Sequence, residues 1–198
     1  MRISRFAALQ KPKVILVALV CALALSAHSD DDKAKEKAKE QSEVRKTAQE
    51  TLQRLYKAQP SAQAAVEHAA GYAVFNNFGV KILLAGSGKG EGIAVDNQTK
   101  KEIFMKMVEL QAGLGFGAKK FSVIFVFNNQ KVLDDFINSG WEFGGQATAA
   151  AKTEDKGGAM GGATSVSDGV WMYQMTDKGL AAEITGKGTK YYKDDDLN

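Results

Sequence analysis

The sequence predicts an α+β fold, mainly β: a compact antiparallel sheet of barrel-like form with an N-terminal amphipathic helix and one or two short helices. Three observations carry that prediction. All 20 glycines lie at or after Gly71, so the composition changes there. Gly86, Gly88, Gly90 and Gly92, and again Gly113, Gly115 and Gly117, recur at every second position, the period of one strand face. Finally, "FSVIFVF" (121–127) is apolar at both parities, as a strand covered on both sides must be.

At the N-terminus, Arg2, Arg5, Lys11 and Lys13 precede the apolar run "VILVALVCALAL" (14–25), and small residues follow at Ser26 and Ala27. A basic start, a short apolar core and a small-residue exit describe a secretory signal peptide, expected over 1–27. The apolar run is shorter than the ~20 residues a spanning helix requires. The alternatives are an uncleaved anchor, or lipid attachment at Cys21. Loss of residues 1–27 removes four basic residues and the only cysteine, leaving 22 basic against 23 acidic residues. The remaining chain is close to neutral, without the basic excess of a nucleic-acid binder, and it can form no disulfide.

Residues 28–42 read as a charged, flexible segment, and 43–198 as one domain, with helices over 43–70 and a glycine-rich β core over 71–193. Val44, Ala48, Leu52, Leu55 and Tyr56 form an apolar stripe at helical spacing. Pro60 stops that helix, and Ser61 is placed to cap a short second one. "GYAVF" (71–75) and "VKILLA" (80–85) read as strands flanking a hairpin-like turn, "NNFG". "GKGEGIAV" (88–95) runs into the Asx-rich turn "DNQT". "KKEIFMKMVEL" (100–110) follows, with Ile103, Met105 and Met107 on one face and Phe104, Val108 and Leu110 on the other. "QKVLDDFINS" (130–139) is helical, ended by Gly140. "WEFGGQATAAA" reads as a further strand and "KTEDKGGAMGG" as a loop. "GVWMYQM", "GLAAEIT" and "TKYYK" are three closing strands. Short connections imply an antiparallel meander.

The glycine run around Lys89 is not a phosphate loop. Gly90 stands where Ser or Thr is needed, Leu83 where the first glycine is needed, and a strand follows in place of a helix. Gly113, Gly115 and Ala118 match a dinucleotide fingerprint loosely, but strand-like sequence follows there too. A glycine within a strand costs roughly 0.5–1 kcal/mol relative to alanine, so the seven cost about 3–7 kcal/mol. That is comparable with the ~5–15 kcal/mol stability of a whole domain. Close approach of another backbone or tight curvature would offset the cost; a ligand against a bare strand face is the alternative.

No catalytic constellation assembles. His68 lies among alanines, and no G-x-S-x-G elbow exists. The acidic runs Asp30–Asp32 and Asp194–Asp196 read as solvated charge, as do Asp134 and Asp135, so neither a metal nor a cofactor is expected. Basic residues beside strand edges and glycine runs are the candidates for anionic headgroups: Lys81, Lys89, Lys100, Lys101, Lys119 and Lys120, with the adjacent pair Lys119 and Lys120 foremost. Trp141, Trp171, Tyr191 and Tyr192 are candidate interfacial aromatics.

"AAGYAVFNNFG", "GSGKGEGIAV", "QAGLGFGAKKFSVIFVF", "FINSGWEFGGQA" and the closing "TKYY" together resemble the SYLF domain, over about Leu52 to Tyr192. The resemblance implies a compact antiparallel β structure with flanking helices, and non-catalytic binding to phospholipid headgroups and membranes. Eukaryotic members also bind actin, which is not carried over to an exported chain. A "GP" step common late in the family is replaced here by "DKGGAMGG". The expectation is an exported, periplasmic or secreted lipid-binding protein of the cell envelope with no nucleic-acid partner. The alternative is an envelope protein-interaction module without direct lipid contact. An enzyme is the third and least supported reading.

Overall fold

The computed structural model describes residues 14–143, 161–180 and 188–198 of the chain. The chain divides into two units, residues 1–39 and 40–198. Helix α1 (Val14–Ala58) includes the apolar run and the charged segment 28–42, which reads from sequence as flexible. Alanine, lysine, glutamate and glutamine are strong helix formers, and propensity alone accounts for this. Lys35 pairs with Asp31 one turn earlier at 2.7 Å. Among the described residues no helix is long and apolar enough to cross a membrane.

In the second unit the expected stripe of α1 is buried at Val44, Ala48, Leu52 and Leu55. Helix α2 (Ser61–His68) follows Pro60, whose position before the first turn gives no side-chain cap. Ser61 was expected in that role; instead its hydroxyl accepts a 2.7 Å bond from the Gln59 amide. His68 is exposed, with its Nδ1 2.8 Å from the Ala64 carbonyl oxygen.

Strands β1 (Gly71–Asp96) and β2 (Glu102–Phe127) form one long antiparallel hairpin, in register from Gly71 opposite Phe127 to Val95 opposite Glu102, with one irregularity between Leu83 and Ala85. The expected turn at "NNFG" is therefore not a turn. Asn76 and Asn77 continue β1, where Asn76 Oδ1 accepts from Thr51 and Ser122 at 2.9 and 2.6 Å. The expected turn at "DNQT" is present: Asp96 Oδ1 accepts from the backbone N–H groups of Gln98 and Thr99, both at 2.8 Å.

A straight strand of this length would span about 85 Å. Instead the hairpin folds back, and the two halves of β1 lie against each other. A Cβ on Gly71 would fall on the Val95 carbonyl oxygen, and one on Gly92 would fall on the Val74 carbonyl oxygen and within 2.5 Å of the Phe75 ring. Close backbone approach is thus what Gly92 of the first alternating run provides. The ends are tied where Asn97 N–H donates to the Ala70 carbonyl at 2.9 Å. The two glycine runs lie on neighbouring strands of the hairpin but are not opposite each other: Gly86 faces Gln111, and Gly115 faces Leu83.

Helix α3 (Gln130–Ser139) is capped by the Asn129 side chain and ends at Gly140, φ +70°. A Cβ on Gly140 would also crowd the Tyr191 carbonyl oxygen at 2.8 Å. β3 (Trp141–Phe143), β4 (Thr164–Ser167), β5 (Val170–Thr176), β6 (Gly179–Leu180) and β7 (Thr189–Lys193) complete the sheet. β4 lies within a stretch given no element from sequence. The remainder of "WEFGGQATAAA", nearly all of "KTEDKGGAMGG" and most of "GLAAEIT" fall outside the described residues.

All strand pairs are antiparallel, but the order β3-β7-β2-β5-β4 is not the expected simple meander. β5 pairs with the end of β2 and β7 with its beginning, both opposite β1. The folded hairpin makes this possible by giving β2 two separate segments to pair along. The result is a curled antiparallel sheet, α+β and mainly β as the sequence predicts.

Both sheet faces are covered. Phe75, Phe125, Phe127, Phe136 and Tyr191 cluster on one, with Phe75 and Tyr191 centroids 4.6 Å apart. Leu55, Val66, Val74, Ile124 and Tyr173 pack on the other, beneath α1 and α2. "FSVIFVF" is buried from Ser122 to Phe127, as expected of a doubly covered strand. Two expectations fail against this packing. Tyr191 is buried and so is no interfacial aromatic, while Trp141, Trp171 and Tyr192 are half-buried. Asp194 is not solvated either: it is 1% exposed, pairs with Lys106 at 2.8 Å, and accepts from Asp196 N–H at 3.0 Å.

Two stability predictions follow from these contacts. Gly92→Ala should lower the unfolding free energy by about 2–3 kcal/mol, because the new methyl meets a backbone carbonyl that cannot give way. Asp194→Ala should cost about 2–3 kcal/mol, the range for a charged group whose hydrogen bonds are removed. Urea midpoints of both variants against the parent chain check them.

Candidate functional site

Partners across an antiparallel ladder share a face, and the face alternates along each strand. Phe78 with Lys120, Asn76 with Ser122, Lys89 with Val108 and Glu91 with Lys106 therefore lie on the α1-facing side, in line with Val74, Ile93 and Phe104. Because the hairpin is folded, residues far apart along β1 become neighbours there. They border a cavity of about 760 Å³, lined in addition by Glu43, Val44, Thr47 and Arg54 of α1 and by Met175 to Asp177.

Two of the six sequence-nominated lysines, Lys89 and Lys120, line this cavity. Both are exposed, and neither has an ion-pair partner among the described residues. Lys100 and Lys101 sit at the hairpin turn, exposed and away from the cavity lining, Lys100 with φ +59°. Lys81 and Lys119 lie on the hairpin opposite Gly117 and Gly79, and their side chains fall outside what the structure describes.

Sequence reasoning missed four contributors. Lys106 lies on the cavity wall but is held by Asp194 and Asp196, whose hydrogen bonds raise its pKa. Glu91 is exposed, yet surrounding atoms desolvate it and raise its carboxyl above the usual 4.5; Glu40 and Asp194 add repulsion, and Lys106 opposes the shift. Phe78 is 49% exposed beside Lys120, an apolar residue at the cavity. Asn77 borders the cavity but turns its side chain to the opposite face, level with Phe75; it is 5% exposed, and neither its Oδ1 nor its Nδ2 has a hydrogen-bond partner among the described residues. The signal for Asn77 was available: "AVFNNFGVKILLA" has no proline and reads as one strand once the asparagines are allowed within it.

The chemistry of the lining is mixed. Arg54, Lys89, Lys106 and Lys120 share the lining with Glu43, Glu91 and Asp177 and with the apolar Val44, Met107 and Met175. Among the described residues no group of three or more histidine, cysteine or acidic side chains could hold a metal ion.

Comparison with known proteins agrees with the glycine-strand pattern. Residues 108–198 match the Ysc84 family, described as "Las17-binding protein actin regulator". That match identifies residues 108–198 as a Ysc84, or SYLF, domain. It is also 32% identical over 142 residues to the Beta cell expansion factor A of Aeromonas veronii. That alignment takes in 72% of this chain and 52% of the relative, so the chain spans about half the length of the curated relative it matches.

The raised carboxyl of Glu91 sets a direction with pH. Its folded pKa lies above the usual value, so protonation comes earlier as the pH falls, and the lining beside Lys89 then becomes more positive. Anion binding at the cavity should strengthen as the pH falls from 7 toward 5. Glu91→Gln should flatten that dependence, a comparison that binding titrations at several pH values can make.

Proposed function

We propose that this chain is a non-catalytic lipid-binding protein of the cell envelope, exported by the segment 1–27 and attached to a phospholipid surface through the cavity face. The observation that carries the proposal is that two cations without an ion-pair partner among the described residues, Lys89 and Lys120, line one cavity with the exposed Phe78. The SYLF match over residues 108–198 supports it, since lipid binding is the family's general property. Each basic residue near an anionic surface contributes about 1 kcal/mol. Partial burial of a phenylalanine adds a comparable amount, up to about 1.5–3 kcal/mol when complete.

A second reading has its own support. The family description names a protein partner, Las17, for its members. On that reading the same face docks an envelope protein, and the near-neutral charge after residue 27 agrees with it.

Sedimentation with vesicles of phosphatidylglycerol or phosphatidylcholine, at low and high salt, separates the two. The lipid reading expects salt-sensitive binding to the anionic vesicles. Lys89→Gln combined with Lys120→Gln should weaken it about thirtyfold, equivalent to about 2 kcal/mol. Unchanged binding in the double variant would reject this face, and no binding by the parent chain to either vesicle would favour the protein partner.

A further inference from the structure

Among the described residues only two large apolar side chains are exposed, Phe78 at 49% and Leu110 at 71%, and both lie on the β1–β2 hairpin. They share one side of it. Phe78 is opposite Lys120, Val108 is opposite Lys89, and Leu110 stands two residues beyond Val108 on the same strand. Both also lie toward the place where the hairpin folds back. A Cβ on Gly71 would meet Val95, one on Gly92 would meet Val74, and one on Gly90 would meet Asn76; each pair is centred on position 83. The register irregularity between Leu83 and Ala85 falls at that bend.

The chain around the bend carries no charge. None of the seven residues 82–88 is ionisable, and none of the nine residues 110–118. The ladder sets these two stretches against each other, with Ile82 opposite Phe116 and Ser87 opposite Leu110. Lysines bound them: Lys81 and Lys89 on β1, Lys119 and Lys120 on β2. The nearest acid, Glu109, belongs to the opposite face and is 2% exposed. A second copy of the chain is a poor occupant for such a surface, because two lysine rims would repel. A bilayer with anionic headgroups over hydrocarbon complements both parts, since ammonium groups stay among the headgroups while apolar residues pass below them. Folded at its centre, a stretch of this length reaches on the order of 10 Å beyond its lysines. That is the depth of an element lying in the interface, not of one that spans.

We infer that the bend of the β1–β2 hairpin enters the hydrocarbon edge of an anionic phospholipid bilayer, carrying Leu110 below the headgroups while Lys89 and Lys120 remain among them. This rests on the lipid-binding reading and goes beyond it. Attachment through lysines and headgroups is released by salt, whereas an inserted apolar bend is an anchor that salt leaves in place.

The test uses the full chain and phosphatidylglycerol vesicles whose acyl chains carry a nitroxide quencher. Leu110→Trp puts a fluorescent reporter beside the bend, and Lys101→Trp puts one at the exposed turn between β1 and β2. On vesicle binding the added emission of Leu110→Trp should shift to the blue and be quenched, and that of Lys101→Trp should do neither. Leu110→Gln should weaken binding at high salt by about tenfold or more, the effect of withholding one leucine from an apolar phase. Phe78→Gln takes its place if that variant fails to fold by circular dichroism. Vesicle binding that salt releases completely, with no quenching of Leu110→Trp, would overturn the insertion and leave the headgroup reading standing. No binding of the parent chain to the vesicles would reject both. A dimer that Leu110→Gln abolishes, with no quenching by the vesicles, would assign the bend to a second copy and overturn the insertion.

Discussion

The contact of β1 with itself is the constraint on which the rest of this structure depends. Gly71 lies against Val95, and Gly92 against Val74, at a separation no side chain could occupy. Backbone bonds at Ala70 and Asn97 tie the two ends at the same place. Without this closure the hairpin would be an extended ribbon with one face of Val74, Ile93 and Phe104 open to water. With it, those residues join Leu55, Val66 and Tyr173 in one core under the helices. The strand-propensity cost of glycine is thereby offset by apolar burial elsewhere, a trade between local and tertiary energies.

The same closure decides what can approach what. β2 is long enough that β5 and β7 pair with different parts of it, and the C-terminal residues return to its beginning. Asn198 exchanges hydrogen bonds with the Phe104 backbone, and Gln41 of α1 donates to the Leu197 carbonyl. Lys106 draws Asp194 and Asp196 to the same end. The cavity lies within this frame, with walls from the helix, both halves of the hairpin and the turn after β5. Its polar groups are therefore held by elements whose positions are fixed by core packing, which is how a binding site avoids large ordering costs on occupancy.

The sequence makes some of this legible and hides the rest for physical reasons. Helical spacing at Val44 to Leu55, the two-sided apolar run 121–127 and Gly140 after α3 depend on local periodicity or on a φ requirement, and each can be read from a few residues. The alternating glycines announce a close approach, but not which backbone approaches, because that is settled by contacts some twenty residues apart. "NNFG" has the composition of a turn, yet its asparagines are retained in the strand by Thr51 and Ser122 and by the space above Gly90. Asp194 belongs to an acidic run that reads as solvent-facing, and only the distant Lys106 makes it a buried anchor. Of the six nominated lysines, Lys89 and Lys120 are united by the folded hairpin, a relation that no spacing in the chain encodes.

Electrostatics also explains why overall charge is a poor guide to this site. After residue 27 the acidic and basic residues nearly balance, which would suggest little attraction to an anionic surface. Yet many charges are already spent within the protein: Arg45 on Glu102, Lys131 on Asp135, Lys106 on two aspartates. What an approaching anion meets is the unspent remainder, and at the cavity that remainder includes Lys89 and Lys120. Two cations give roughly 2 kcal/mol at an anionic membrane, a factor of about thirty, which is too little for firm attachment alone. Apolar contact at Phe78 falls off far more steeply with distance than charge attraction does. On the proposed reading the charges bring the surface close, and the apolar contact at Phe78 holds it there.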